Sequence, residues 1–437
     1  MGKQIIKMIF LMIVVFGICA GIYIPISRNN DKKQEIKKVE ELFASLQSKE
    51  AQIAKFYTYG DTLNVSGSLE NVSKENLENV KLVVTDGENE MTYDLETKLD
   101  NKLLMFETPQ INKAIELDKL KVGEYYVLLR VKLNNNINAR YYTLKNISSY
   151  PNIEYYTVTR NNTNNKVKIQ FLEKELTDKK FNYLSLKVEN IENAECYDFV
   201  IDSGHGGTDS GEKANGYTEA NITLDYAKDL KVKLEELGLK VKLTRDDENT
   251  STYTTTNMYN DNGRITIACE TKAKYMISFH VNNGTNGLSG LEIYAPTKSN
   301  LDFAKLMANK IVESGANSYS NNSGYRKADG VFVWNFTKSV IKQFENTANK
   351  KGYEPYNITI DTPYQYTIRE VGGIATNAYA DGRNLSFSAN RFYNSNQGIE
   401  CYQVELGYIK NDLDKMLYNR EAYINSITLS IKEYLNL

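Results

Sequence analysis

The sequence predicts an α/β domain preceded by a β-sandwich-like region and an N-terminal transmembrane helix. Three observations predict this order. Residues Met8 to Ile26 are an uncharged apolar run, short alternating runs with turn signals fill the stretch from about Lys55 to Glu189, and apolar strands alternate with amphipathic helices from Cys196 onward. The expected boundaries are 1–30 for the membrane segment, 31–55 for a helical stalk, 56–190 for an immunoglobulin-like β region and 195–437 for the α/β domain, which carries an insertion at about 295–395. A chain of 437 residues has room for two or three such units, each with its own core. With 53 Lys and Arg against 55 Asp and Glu, the net charge of −2 excludes a polybasic nucleic-acid binder and an acidic disordered chain.

As a helix, Met8 to Ile26 would span about 28 Å, close to the thickness of a hydrocarbon core. Gly21-Ile22-Tyr23-Ile24 leads into Pro25 without a small-x-small cleavage site, so an uncleaved signal anchor is the expectation. Ile18 before Cys19 argues against a lipoprotein signal. The bulk of the chain is then expected outside the cytoplasm, on a single-pass anchor. Ile36, Val39, Phe43, Leu46 and Ile53 follow a 3/4 spacing broken by Glu50, which predicts the stalk. Such a helix either dimerises or packs on the domain that follows.

In the β region, Leu63 to Ser66 is one strand, and Leu82 to Val84 runs through Asp86-Gly87 into Met91 to Leu95 as a hairpin. Tyr125 to Leu133 follows Gly123, with Asn134 to Asn136 as a turn before Arg140 to Leu144. Ile153 to Val188 either closes the same sandwich or forms a second small unit. The region carries no catalytic constellation, and its tyrosines read as strand residues before they read as a glycan-binding face.

In the α/β domain, the strand Tyr197 to Asp202 ends in Ser203-Gly204-His205-Gly206-Gly207, where glycines on both sides of the imidazole allow a sharp turn. Glu219 opens a helix with Ala227, Leu230, Leu234 and Leu237 on one face and Gly238 as its stop. Val241 and Leu243 start a second strand, and Tyr275, Ile277 and Phe279 alternate along a third that delivers His280 and Asn282. Tyr402 to Leu406 is a strand carrying Glu405, ahead of a closing helix with Ile424, Ile427, Ile431 and Leu435 on one face. The chain has only two histidines, and both stand at strand ends. Two imidazoles and a carboxylate suit an open zinc site with a fourth position for water, and Glu405 is the candidate second carboxylate to take that water's proton. Of four cysteines, Cys19 lies in the apolar run, and Cys196, Cys269 and Cys401 read as small buried residues next to strands.

These residues resemble the zinc-dependent N-acetylmuramoyl-L-alanine amidases of the third amidase class, the peptidoglycan amidases. The likeness rests on Asp202-Ser203-Gly204-His205-Gly206-Gly207, on Glu219 to Leu224 followed by Thr244-Arg245, on Arg264 with Ser278-Phe279-His280-Val281-Asn282, and on Val404 to Asn411. It covers only the α/β domain. It implies a mixed sheet flanked by helices, phosphorylase/hydrolase-like, with His205, Glu219 and His280 holding one zinc ion and Glu405 as general base. The implied reaction is hydrolysis, by zinc-activated water, of the amide between N-acetylmuramic acid and L-alanine. Asp202 and Asn282 are candidates for orienting the ligands, and Arg369 for binding a stem-peptide carboxylate. Asp209 and Glu212 read as turn and surface residues.

Ser203 and Thr218 depart from the family pattern, and the segment from Gly290 to Gln403 is long for it, which suggests a groove wall or lid. The alternative is a catalytically inactive domain that binds peptidoglycan or a partner. Expected partners are peptidoglycan, a membrane through the N-terminal helix and no nucleic acid, with a dimer or regulatory protein as further options. A single anchor is compatible with a Gram-positive cell surface.

Overall fold

The structure is a computed structural model that describes residues 37–437 except 74–76, 135–137, 158–163, 177–178, 193–195, 249–260, 285–286, 379–389 and 396–397. The expected membrane segment, 1–30, lies outside the described residues. Among those described, no helix is long and apolar enough to cross a membrane.

Residues 51–191 form two sheets around one core. The first runs β10 (Leu144–Asn146), β1 (Ala51–Tyr59), β2 (Thr62–Leu69), β6 (Leu103–Glu107) and β5 (Glu96–Asp100), with β7 (Ile115–Glu116) also paired to β2. The second runs β11 (Ile153–Tyr156), β12 (Asn164–Leu176), β13 (Lys179–Ile191), β8 (Gly123–Leu133), β3 (Leu77–Thr85) and β4 (Glu90–Asp94), with β9 (Arg140–Tyr142) on β8. Ile53, Phe56 and Val65 from the first sheet pack with Leu82, Val127, Ile169 and Leu184 from the second. The stretch from Ile153 to Val188 therefore joins the sandwich as β11 to β13 and is not a separate unit. In β1 the inward residues change parity after Ile53, where the register with β2 shifts, so that Phe56 faces the core.

The expected stalk is shorter than its apolar spacing suggested. Its described helix, α1, covers 37–45, and Ala51 already opens β1. Glu50, which breaks the spacing, turns its carboxylate to the sandwich and accepts from the Asn182 N–H at 2.6 Å and from Asn182 Nδ2 at 2.9 Å. Phe43 is fully buried edge-on against Tyr126, Phe181 and Tyr183, with centroids 5.2 to 5.7 Å apart, so α1 packs on the second sheet.

Beyond residue 198 a seven-stranded mixed sheet runs β17 (Val241–Leu243), β14 (Phe199–Ser203), β18 (Tyr275–Asn282), β22 (Glu400–Tyr408), β19 (Glu292–Tyr294), β21 (Val331–Phe332) and β20 (Arg326–Ala328). The first four are mutually parallel, and β19 runs antiparallel to β22. A small hairpin, β15 (Lys213–Ala214) with β16 (Tyr217–Thr218), precedes α2 (Glu219–Glu236). Period-two alternation divides the side chains. Phe199, Ile201, Ile277, Phe279, Val404 and Leu406 face α2, α4 (Asp302–Glu313), α7 (Leu413–Tyr418) and α8 (Arg420–Leu435). Val200, Met276 and Cys401 face α3 (Arg264–Glu270) and α6 (Tyr366–Val371) on the other side.

The expected insertion at 295–395 is of two kinds. Its first half supplies α4, β20 and β21, which extend the sheet and its core; in the second half α6 lies over the sheet's other face, while α5 (Lys338–Lys351) packs with Phe336, Tyr356 and Ile358 in a small cluster of its own. All three described cysteines are buried and free, and Cys269, in α3, packs in the cluster that holds Val200, Met276 and Cys401 of the sheet. The sandwich meets this domain at the start of β22, where the Gly60 N–H donates to the Gly398 carbonyl at 3.0 Å and Asn112 Nδ2 to Glu400 Oε1 at 2.7 Å.

Candidate active site

The site lies where β14 and β18 end. His205 adopts a φ of +62° and Gly207 one of +60°, so the chain reverses immediately after β14. Gly204 is required by close approach, because a Cβ there would stand 2.6 Å from the His280 ring; one at Gly211 would stand 2.6 Å from Glu219 Oε2 and 2.8 Å from the His205 ring. Thr218 caps α2 by accepting from the Asn221 N–H, which places Glu219 in the first turn, where a carboxylate is favoured by the helix dipole.

Around Glu219 the two imidazoles converge. His205 Nε2 and His280 Nδ1 are each 3.0 Å from Glu219 Oε1, and the three donor atoms lie within 4.8 Å of one another. The Val281 and Glu212 N–H groups donate to the same carboxylate at 2.9 and 3.1 Å and fix its plane. A tetrahedral zinc site with bonds of ~2.0–2.1 Å sets neighbouring donors roughly 3.4 Å apart, so this donor set fits a divalent ion of that kind. Burial works to raise the Glu219 carboxyl, but hydrogen bonds and charge from His205 and His280 outweigh it and hold the group well below the usual carboxylate range. Burial likewise works to lower His205, yet the Glu219 and Asp209 carboxylates raise it to about 9. The local field thus favours positive charge.

Asp209 is the residue that sequence reasoning missed. Its Oδ2 lies 2.9 Å from His205 Nδ1 and its Oδ1 accepts from the Gly211 N–H, so it fixes the ring that presents Nε2 inward. An acid four residues after a histidine in a glycine-rich turn was the available signal. Asp202 does not touch the imidazoles. It is fully buried, accepts from Arg264 at 2.6 Å and from the Thr244 and Ser278 hydroxyls at 2.7 Å, and acts through Arg264, which donates to the His205 carbonyl. Arg245 adds bonds to the Ser203 and Gly204 carbonyls, so two buried guanidinium groups clamp the loop.

Glu405 stands in register with His280 on the neighbouring strand and lines a cleft of about 400 Å³ with His280, Asn282, Trp334, Arg369 and Gln403. Gln403 Nε2 donates to its Oε1 at 2.7 Å. Burial, with a further push from Glu219 and against the pull of His280, raises the Glu405 carboxyl to about 7, near the optimum for a base working at neutral pH. Asn282 donates to Glu292, a buried carboxylate that also accepts from Ser320 and Tyr408. The Arg369 guanidinium lies over the Tyr366 ring at 4.7 Å and donates to Glu370. The structure therefore brings His205, Glu219 and His280 together, sets Glu405, Asn282 and Arg369 around one cleft, and leaves Asp202 behind the loop.

The family model described as N-acetylmuramoyl-L-alanine amidase matches residues 199–436. An uncharacterized protein, YqiI of Bacillus subtilis, is 29% identical over 175 residues, which are 38% of this chain and 80% of that one. A putative N-acetylmuramoyl-L-alanine amidase of Buchnera aphidicola is 26% identical over 243 residues, 54% of this chain and 94% of that one. Among solved structures, the catalytic domain of CwlV, an N-acetylmuramoyl-L-alanine amidase from Bacillus (Paenibacillus) polymyxa, is similar with 20% identity and a TM-score of 0.35, covering 55% of this chain and 97% of that one.

Proposed function

The chain belongs to the N-acetylmuramoyl-L-alanine amidase family and is a peptidoglycan amidase, and from that premise we propose that His205, Glu219 and His280 hold one zinc ion and that Glu405 is the general base. The single observation that carries this assignment is the convergence of both histidines of the chain on Glu219, with Glu405 in register beside His280. When bound, the ion supplies Lewis-acid polarisation of the amide carbonyl and eases ionisation of a water molecule. Glu405 takes the proton from the attacking water as the new C–O bond forms. It returns that proton to the L-alanine nitrogen as the C–N bond breaks, which frees the stem peptide and leaves the lactyl carboxylate on muramic acid. Asp209 holds His205 in one tautomer, and Arg264 and Arg245 hold the loop that bears it. Arg369 offers a guanidinium to a stem-peptide carboxylate from the cleft wall.

We further place this domain on the extracytoplasmic side of a membrane, where the polymer lies, with the apolar run Met8 to Ile26 as anchor. The test is digestion of isolated peptidoglycan by the zinc-loaded chain, with mass analysis of the products. Free stem peptides and peptide-free glycan strands are the expected outcome. Peptidoglycan left intact would mean a domain that binds without cleaving.

A further inference from the structure

We propose that Tyr325, Trp334 and Tyr364 form a stacking subsite for an N-acetylhexosamine ring of the glycan strand, next to the reacting muramic acid. This rests on the amidase reading above and adds the part of the site that grips the polymer. The rings of Tyr325 and Tyr364 stack on Trp334 with centroids 5.0 and 4.1 Å away and planes within 17° and 16° of parallel. Backbone bonds pin the three rings: the Val333 N–H donates to the Tyr325 carbonyl at 3.0 Å, and the Tyr364 N–H to the Trp334 carbonyl at 2.7 Å. Tyr325 has a φ of +62°, a conformation that bulky residues rarely adopt, so its ring is held in place against a backbone preference. Tyr325 keeps 49% of its surface exposed and Tyr364 keeps 40%, although both are large aromatic groups that burial would favour.

Position selects the occupant. Trp334 and Tyr364 line the cleft that holds His280 and Glu405, whereas Tyr325 stands beyond it and carries the stack outward. A stem peptide leaves the cut bond in one direction and runs only a few residues, but the glycan strand continues past the reacting sugar on both sides. A pyranose presents one face of C–H groups, which matches a flat aromatic surface, while its hydroxyls and acetamide stay in water.

Trp334 is the only tryptophan of the chain, so emission excited at the red edge of tryptophan absorption, where the 32 tyrosines do not absorb, reports on this stack alone. The zinc-loaded full chain is titrated with the tetramer of N-acetylglucosamine and, separately, with free stem peptide. We expect a saturable change in emission with the tetramer, an affinity at least fivefold weaker in Tyr325→Ala and restored in Tyr325→Phe, and any response to the peptide, which Arg369 would hold on the same cleft wall, to be unchanged in Tyr325→Ala. No response to the tetramer, an unchanged affinity in Tyr325→Ala, or a response to the peptide in place of the sugar would each overturn the subsite. The titration reads no turnover. A chain that binds the tetramer but leaves peptidoglycan intact would therefore sink the proposed mechanism and keep the subsite, and a chain that cleaves without an emission change would do the reverse.

Discussion

Glu400 and Glu405 sit on the same strand, and burial raises the carboxyl of each to about 7, yet the two ends of β22 put them to different uses. Glu400, at the start, meets the sandwich and accepts from Asn112 at 2.7 Å and from the Tyr402 hydroxyl at 2.5 Å. Glu405, at the end where parallel strands open their ligand sites, faces His280 and a cleft with room for substrate. Burial supplies the proton affinity in both cases. What the carboxyl faces decides whether that affinity holds two domains together or moves a proton.

The sharpest way to break the comparison is to neutralise each acid in turn. Glu405→Gln is expected to lower kcat about 10²- to 10⁴-fold while keeping the metal, and to remove the acid limb of the kcat/KM profile, since the base must be ionised and activity falls as pH drops through its pKa. A wild-type rate in that variant would mean the base is another group. Glu400→Gln should leave hydrolysis intact in the same assay.

Next in size is the ion pair behind the site. Asp202→Asn leaves Arg264 buried without its counter-charge and should cost about 3–5 kcal/mol in denaturant unfolding, far more than any surface pair. A loss under about 1 kcal/mol would show that the clamp on the His205 loop is not held by this charge.

At the other end of the strand, the folded state keeps a proton on Glu400 that the unfolded chain releases above its ordinary value of 4.5. Its contribution is thus complete below 4.5 and is lost as pH rises to about 7. The loss is on the order of 3 kcal/mol, and Glu400→Gln should flatten that part of the stability profile. An unchanged profile would move the pH dependence to other groups. The smallest effect is expected for Asp209→Asn, with zinc affinity weaker by about 10- to 100-fold in a chelator competition, because the ring loses its anchor but no ligand is removed.

These residues also mark how far the sequence could be read. Both histidines, Glu219 and Glu405 were legible because each stands at the end of an element whose period is visible, in runs such as Tyr275 to His280. Asp209 and Arg264 act across a closed loop: the i to i+4 spacing to His205 was a signal for Asp209, but only the turn geometry settles that its carboxylate reaches the ring, and only the fold brings Arg264 to Asp202 and the His205 carbonyl. The aromatic cleft was hidden for a similar reason, since Tyr325, Trp334 and Tyr364 meet only after β20 and β21 join the sheet. The stalk ends before the position its spacing implies, because Ile53 fits a helical spacing and a strand core equally well and sits in the sandwich core.

The central claim is that the two histidines and Glu219 hold one metal ion, and metal analysis after exhaustive dialysis tests it most directly. Wild type and Glu405→Gln are expected to retain about one equivalent of zinc, and His280→Ala, checked for folding by circular dichroism, close to none. A full equivalent in folded His280→Ala would contradict the account.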